Sequence, residues 1–166
     1  MRHSLPLLFL FLNISLFAQI SRKTDLQTGK MGFVDASGNT LVPLEYDFLP
    51  FQYAPKMVAR KGDKRGVIDD KGQTIVPFDY HTIQLEKNGF ALVSKDKSKQ
   101  PVLGLLDSAG KVVLPLVYEY VAVLDSQLLA ARLFNSKEIA VFDNNGKQLF
   151  KTEGNNAMPG FGDSTV

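Results

Sequence analysis

The chain has 166 residues, of which 45% are hydrophobic and 22% are charged, with 13 glycines, 8 prolines and no cysteine. This length fits one domain or one short repeat array, and the apolar fraction is large enough to build a core. Global disorder and a collagen-like chain are therefore excluded. The absence of cysteine also excludes disulfides, thiolate chemistry, iron–sulfur clusters and cysteine-based zinc sites.

The first 18 residues have the pattern of a secretory signal peptide. A cationic start at Arg2 precedes an apolar run from Leu5 to Phe17, and polar residues resume after Ala18. This run is shorter than the roughly 20 apolar residues that a spanning helix needs. We predict cleavage after Ala18, a linker over residues 19–29, no membrane span in the mature chain, and export to the periplasm or the extracellular space. A retained membrane anchor or a buried strand is the alternative.

The charge of the mature chain gives no sign of nucleic-acid binding. Loss of the signal peptide removes Arg2, so that 18 of the 19 basic residues face 17 acidic ones. Nucleic-acid-binding proteins carry a strong cationic excess on one face, so nucleic acid is not an expected partner. Two local clusters, broken by Asp63 and Asp96, are interpreted as solvated connections, with a weak anion-binding patch as the alternative: Arg60, Lys61, Lys64 and Arg65, and Lys95, Lys97 and Lys99.

An internal repeat organises the chain after residue 29. A triplet of apolar residues followed by Asp, with Gly three residues after the Asp, occurs four times at spacings of 34, 38 and 36 residues. The Asp and Gly residues are Asp35 and Gly38, Asp69 and Gly72, Asp107 and Gly110, Asp143 and Gly146. The first three copies continue with Pro five residues after the Gly and Tyr three residues after the Pro: Pro43 and Tyr46, Pro77 and Tyr80, Pro115 and Tyr118. A period of this length indicates stacked repeat modules.

Each repeat predicts about four short β-strands. The Asp-x-x-Gly segment is typical of a hairpin connection, because Asp accepts turn N–H groups and Gly adopts a positive φ. The β-branched segments on either side predict its two strands, and proline is expected to end the second one. Tyr then opens a third segment, and an apolar run supplies a fourth. The best helix candidate, residues 126–134, is too short to stand alone. The predicted fold class is all-β.

The segment Lys-x-Gly-aromatic-Val-Asp-x-x-Gly-x-x-x-Val-Pro-x-x-Tyr-Asp at residues 30–47 resembles the WG-repeat (KWG) proteins, a mostly bacterial β-repeat family. The resemblance covers three full units and a partial fourth, over residues 30–63, 64–101, 102–137 and 138–151. The tryptophan that names the family is absent, and its place is taken by Met31, Arg65, Leu103 and Ile139. The Tyr-Asp corner is kept only at Tyr46, and the later copies read Tyr80-His81 and Tyr118-Glu119. The resemblance implies binding or scaffolding more than catalysis.

The number of units predicts an open, twisted array of small sheets. Repeat units of this size bury their faces only against neighbours, and at least about three are needed for stability. Three and a half units are too few to close a propeller ring, which starts at about four blades, so two chains completing a ring is the alternative. Residues 152–166, which contain several glycines and a proline, predict a flexible tail.

Catalytic and metal-binding groups are sparse. His81 is the single histidine of the mature chain and is interpreted as a surface or capping residue. The repeated aspartates are interpreted as turn caps, since calcium needs six to eight converging oxygens. A polysaccharide hydrolase that uses Glu45, Asp47, Asp79 or Glu119 is the alternative, and it requires two carboxylates across one cleft. We expect no enzyme activity, no metal and no cofactor.

The repeated tyrosines Tyr46, Tyr80 and Tyr118 are the candidate ligand-binding residues. Exposed tyrosines along an array stack on sugar rings or grip a peptide. The alternative is that each ring packs at the end of its unit with its hydroxyl bonded to a turn. The sequence thus predicts a non-catalytic, exported binding or scaffolding protein for a protein or glycan ligand, with a degenerate, self-associating repeat as a further alternative.

Overall fold

The computed structural model describes residues 19–86, 88–98, 100–125 and 127–153. These ranges form thirteen β-strands and no helix, which confirms the all-β prediction. Within them, no helix is long and apolar enough to cross a membrane. The signal peptide predicted over residues 1–18 lies outside the described residues, as do residues 154–166 of the predicted tail.

All strand pairs are antiparallel, and most strands are four to seven residues long. Their bounds are β1 (Ser21–Thr24), β2 (Met31–Val34), β3 (Thr40–Tyr46), β4 (Lys56–Lys61), β5 (Lys64–Asp69), β6 (Thr74–Tyr80), β7 (Thr82–Leu85), β8 (Ala91–Ser94), β9 (Leu103–Leu106), β10 (Val112–Val123), β11 (Leu128–Leu133), β12 (Glu138–Asp143) and β13 (Gln148–Glu153). The linker predicted over residues 19–29 therefore contains a strand, β1, because Ser21–Thr24 pairs with β2. The tail predicted from residue 152 starts inside β13.

The strands form three hydrogen-bonded sheets, and the largest divides into two halves, so that four small sheets follow one another along the chain. Sheet I is β1-β2-β3 and sheet II is β4-β5-β6. The remaining seven strands are hydrogen-bonded in one series, but the long strand β10 changes register between Tyr118 and Tyr120. Its first half pairs with β9 and its second half with β11, so it divides the series. We call β7-β8-β9 with the first half of β10 sheet III, and the second half of β10 with β11-β12-β13 sheet IV.

Sheets II, III and IV each combine the end of one sequence repeat with the start of the next. Strand β4, for example, ends the first repeat but pairs with β5 of the second. The chain crosses to the neighbouring sheet directly after the Tyr corner, where the Asp47 N–H donates to the Arg60 carbonyl at 2.8 Å and the His81 N–H to the Ser94 carbonyl at 2.8 Å. The expectation that each repeat forms its own four-stranded unit is therefore wrong. The sequence could not show this, because a periodic pattern does not indicate where one sheet ends and the next begins.

The core consists of three clusters, and each lies between two consecutive sheets. The first joins Phe33 of sheet I to Ile68 of sheet II, and the second joins Val67 of sheet II to Leu106 of sheet III. The third joins Leu105 of sheet III to residues of sheet IV. Neighbouring residues on one strand thus face opposite interfaces, as the strand period of two requires. Among the described residues no cluster joins sheet I to sheet IV, as expected of an open array.

The predicted hairpin turns are confirmed in all four repeats. In the first, the Asp35 carboxylate accepts the N–H groups of Ser37 at 2.8 Å and Asn39 at 2.9 Å. The glycine that closes each turn has a positive φ, between +81° and +86°, at Gly38, Gly72, Gly110 and Gly146. These contacts need only local residues, and for that reason the short motif predicts them.

Proline does not end the second strand of the repeat, contrary to the sequence prediction. Strand β3 continues past Pro43, because its pairing with β2 contains a bulge. Met31 and Phe33 of β2 are two positions apart, but their partners Tyr46 and Val42 in β3 are four positions apart. Within this bulge the proline has no ladder bond to donate. The bulged chain approaches Gly32 so closely that an added Cβ would lie 2.4 Å from the Val42 carbonyl oxygen. Glycine at this position is therefore required by the bulge.

Candidate functional site

The candidate tyrosines are packed into the array. Tyr46 is 0% exposed and Tyr80 is 7% exposed, while Tyr118 is half-buried. The Tyr46 hydroxyl donates at 3.1 Å to the carbonyl of Gly72, a residue in the turn of the next sheet. Tyr118 packs edge-on against Phe142, with ring centroids 6.1 Å apart. The buried rings of Tyr46 and Tyr80 offer no face to a sugar or peptide, so these positions serve packing.

Burial also changes the acidity of Tyr46. It raises the pKa of the phenol to about 12, and the neighbouring Glu45 carboxylate adds to the effect. The Lys61 ammonium lies 4.8 Å from the ring centroid and 2.8 Å from the Glu45 carboxylate. Because of this raised pKa, Tyr46 remains a neutral hydrogen-bond donor throughout the physiological pH range.

The candidate carboxylates are each bound to a cation of a neighbouring strand or loop. Asp47 accepts from the Lys30 ammonium at 2.7 Å and from the Gly62 N–H at 2.7 Å. Glu119 accepts from the Arg132 guanidinium at 2.6 Å. Asp79 is paired with Lys95 in the same way. The structure therefore places these carboxylates in separate ion pairs.

The lowered pKa values of Glu45 and Asp47 do not suit a general acid. The hydrogen bond from Lys61 lowers the pKa of Glu45, and the hydrogen bond from Lys30 lowers the pKa of Asp47. Glycoside hydrolysis needs one carboxyl with a raised pKa, so that it is protonated when the leaving group departs. The observed chemistry favours ion pairing. Among the described residues, no three acidic or histidine side chains form a group that could hold a metal ion.

The two cationic clusters of the sequence meet in one pocket. A cavity of about 400 Å³ opens between the β4–β5 hairpin, the start of β7 and the loop before β9. It is lined by Arg60, Asp63, Arg65, His81, Thr82, Asp96, Lys97, Ser98 and Pro101. The Lys97 ammonium donates to the Asp63 carboxylate at 3.1 Å, which joins the two sequence clusters directly. We refer to this cavity as the inter-sheet pocket.

His81 lies at the wall of the inter-sheet pocket, and its side chain is 14% exposed. Its Nε2 atom lies 2.9 Å from the Lys64 ammonium, which can only donate, so Nε2 is the acceptor. Its Nδ1 atom lies 4.0 Å from the Asp63 carboxylate. The backbone N–H of His81 donates to the Ser94 carbonyl at 2.8 Å, a bond that does not involve the ring. The ring also completes one side of the pocket, which the sequence does not predict.

A second cavity shares both arginines of the inter-sheet pocket. It has a volume of about 210 Å³ and is lined by Arg60 and Arg65 together with Phe48, Val58 and Ala59. The Phe48 side chain is 45% exposed there. The two arginines therefore stand between a polar cavity and a more apolar one.

One signal in the sequence marks this site. Arg65 occupies the position that in the other three repeats holds an apolar residue, namely Met31, Leu103 or Ile139. A charged residue that replaces an apolar one at a repeat position indicates a role specific to that repeat. Arg65 and Lys97 line the same pocket because of how successive sheets pack, and the sequence does not predict that packing.

These observations define an all-β repeat protein with a polar pocket between consecutive sheets. The sequence model of the WG containing repeat matches residues 31–64, 66–97 and 104–147. The chain belongs to the WG-repeat family, as its sequence motifs predict. The comparison with curated proteins gives no match.

Solved structures include a similar protein of unknown function from Bacteroides caccae, determined at 1.35 Å resolution. The two sequences are 14% identical, and the superposition has a TM-score of 0.35. It covers 82% of this chain and 58% of the other, so this chain spans less than two thirds of that protein's length.

Proposed function

We propose that this chain is an exported, non-catalytic binding or scaffolding protein whose ligand is a protein or a glycan. The signal-peptide pattern predicted over residues 1–18 supports the location, and the WG repeats support a binding role. The carboxylates that a hydrolase would use are committed to ion pairs, which favours binding over catalysis.

The observation that carries this proposal is the open inter-sheet pocket. Its lining holds charged side chains from both sequence clusters, in a cavity of about 400 Å³. Small-molecule sites range from about 300 to 1,000 Å³ and contain a few convergent polar groups. The pocket is thus large enough for a sugar unit or a short polar segment of a partner.

Export is tested by producing the full chain with a C-terminal tag in its own cell. We expect the tagged protein in the envelope or the medium, with a mature N-terminus near Gln19 when it is measured by intact mass spectrometry. An intact Met1 on protein confined to the cytoplasm would contradict the proposed export.

The binding role is tested by capture from the envelope fraction of the same cell, followed by a glycan array. We expect one identified protein or glycan to be enriched on the tagged chain and to remain chemically unchanged after incubation. Release of new reducing ends from a polysaccharide would instead favour the hydrolase. A protein that captures only its own copies would favour self-association.

A further inference from the structure

Two arginines of the inter-sheet pocket lie directly opposite each other. Arg60 on β4 and Arg65 on β5 are register partners in the antiparallel pair. Residues in this relation project from the same face with Cβ atoms about 5 Å apart, and like charges there destabilise the sheet. The Arg65 guanidinium has no hydrogen-bond or ionic partner among the described residues. The Arg60 guanidinium donates to the Asp47 carbonyl at 3.5 Å, and its charge also acts on the Asp47 carboxylate, which is already bound to Lys30. An anion between them would offset the repulsion.

The acidic side chains of the pocket do not supply that anion. Asp63 is bound to Lys97 at 3.1 Å, and Asp96 accepts from the backbone and the hydroxyl of Ser98, both at 2.8 Å. Among the described lining residues, three cationic side chains face two carboxylates. The charge left unpaired in the pocket is therefore positive; it lies on Arg65, and Arg60 beside it has only a long hydrogen bond and a charge interaction with Asp47.

The fold itself does not require arginine at residue 65. Met31 and Leu103 stand at the same strand position in neighbouring repeats, next to the same glycine, and both repeats form the same bulged pair of strands. Arg65 is exposed, so it adds little to the core. A ligand gives this substitution a physical reason that packing does not.

We propose that the inter-sheet pocket binds a small polar ligand through an oxyanion group, a carboxylate, sulfate or phosphate, held by Arg60 and Arg65. The guanidinium fork matches two oxygens of such a group, and charge-assisted bonds of this type are stronger than neutral ones. The hydroxyl groups of Thr82 and Ser98 line the same cavity and suit the ligand's other polar groups. The inference rests on the proposed binding function and specifies its ligand chemistry.

The test is isothermal titration calorimetry of the purified protein with sodium acetate, glucuronate, sulfate and inorganic phosphate as separate probes. Binding of at least one probe is expected, and the probe that binds tightest identifies the group as a carboxylate, a sulfate or a phosphate. The affinity should fall as sodium chloride is added, because salt screens exposed charges. A wild-type protein that binds none of the four at low ionic strength overturns the proposal.

The decisive variant is Arg65→Met, which places the residue of the first repeat at the equivalent position of the second. It should weaken binding by at least about tenfold. Arg65→Lys keeps the charge but removes the fork, so it should fall between the wild type and Arg65→Met. Lys147→Gln removes one exposed cation from the turn of the fourth repeat and should leave binding unchanged. Circular dichroism confirms that each variant is folded, and a folded Arg65→Met or Arg65→Lys with wild-type affinity refutes the arginine-pair site.

The same variants separate this inference from the broader proposal. If the ligand captured from the envelope stays on Arg65→Met as well as on the wild type, the chain is a binding protein but the pocket is not its site. If no envelope ligand is captured and no oxyanion binds, both proposals fail. Loss of the captured ligand from Arg65→Met alone supports both.

Discussion

Tyr46 illustrates how a single side chain connects two sheets. Its ring is fully buried in the cluster between sheets I and II, and its hydroxyl reaches the turn of sheet II. Tyr118, at the equivalent position of the third repeat, is half-buried, and its hydroxyl has no hydrogen-bond partner among the described residues. The same sequence position therefore contributes differently to stability in different repeats.

Replacement of Tyr46 by Phe should lower the free energy of unfolding by about 1 kcal/mol, the usual net value of one hydrogen bond. The matched variant Tyr118→Phe should change it by less than about 0.5 kcal/mol, as for most substitutions that remove no partner. Urea unfolding followed by circular dichroism measures both. Equal losses in the two variants would show that the bond to Gly72 contributes nothing specific.

The hairpin turn is the element by which one sheet contacts the one before it. In the second to fourth repeats the turn glycine lies against the preceding sheet, and an added Cβ at Gly110 would be 2.5 Å from the Ile75 carbonyl oxygen. The turn of the first repeat has no preceding sheet of this kind among the described residues, and an added Cβ at Gly38 meets nothing within 4 Å. Gly38 and Gly110 both have a positive φ, so the difference of interest between them is the contact with the preceding sheet.

Alanine at Gly38 should cost about 1 to 2 kcal/mol, because only the left-handed backbone conformation is penalised. Alanine at Gly110 should cost about 1 to 3 kcal/mol more, since the added methyl group also overpacks the sheet interface. Thermal and urea unfolding of the two variants give the difference. The interface would be excluded as the cause if the two variants proved equally stable.

At the scale of the whole molecule, stability is distributed over three separate interfaces. Ile68 belongs to the cluster between sheets I and II, whereas its neighbour Val67 belongs to the cluster between sheets II and III. Both side chains are buried, with exposures of 0% and 1%. In repeat proteins, stability is approximately a sum of unit and nearest-neighbour terms, so damage at one interface remains local.

The variants Ile68→Ala and Val67→Ala should therefore open different parts of the molecule, although they alter adjacent residues. Ile68→Ala, which should cost about 2 to 5 kcal/mol, should raise amide hydrogen exchange in β2 and β3. Val67→Ala should raise it in β8 and β9 instead. Hydrogen exchange with mass spectrometry resolves these strands. A uniform increase over all strands in both variants would indicate one cooperative unit and contradict independent interfaces.

The sequence by itself determined the local geometry of each repeat. Asp35 predicts the turn cap and Gly38 the positive φ, because both depend on residues within the same short segment. The all-β class and the family follow from the same motif and its period. The sequence wrongly predicts that Pro43 ends its strand, because the strand accommodates the proline through a bulge in its pairing with β2.

Only the tertiary structure decided which halves of the repeats share a sheet and which side chains meet. A periodic sequence is unchanged when its starting point shifts, so it cannot show that β4 pairs with β5. The Tyr46 hydroxyl donates to a turn that comes 26 residues later, and the contact between Asp63 and Lys97 spans 34 residues. Such contacts arise from the packing of one sheet on the next. The same packing brings residues of the two cationic segments together around one pocket.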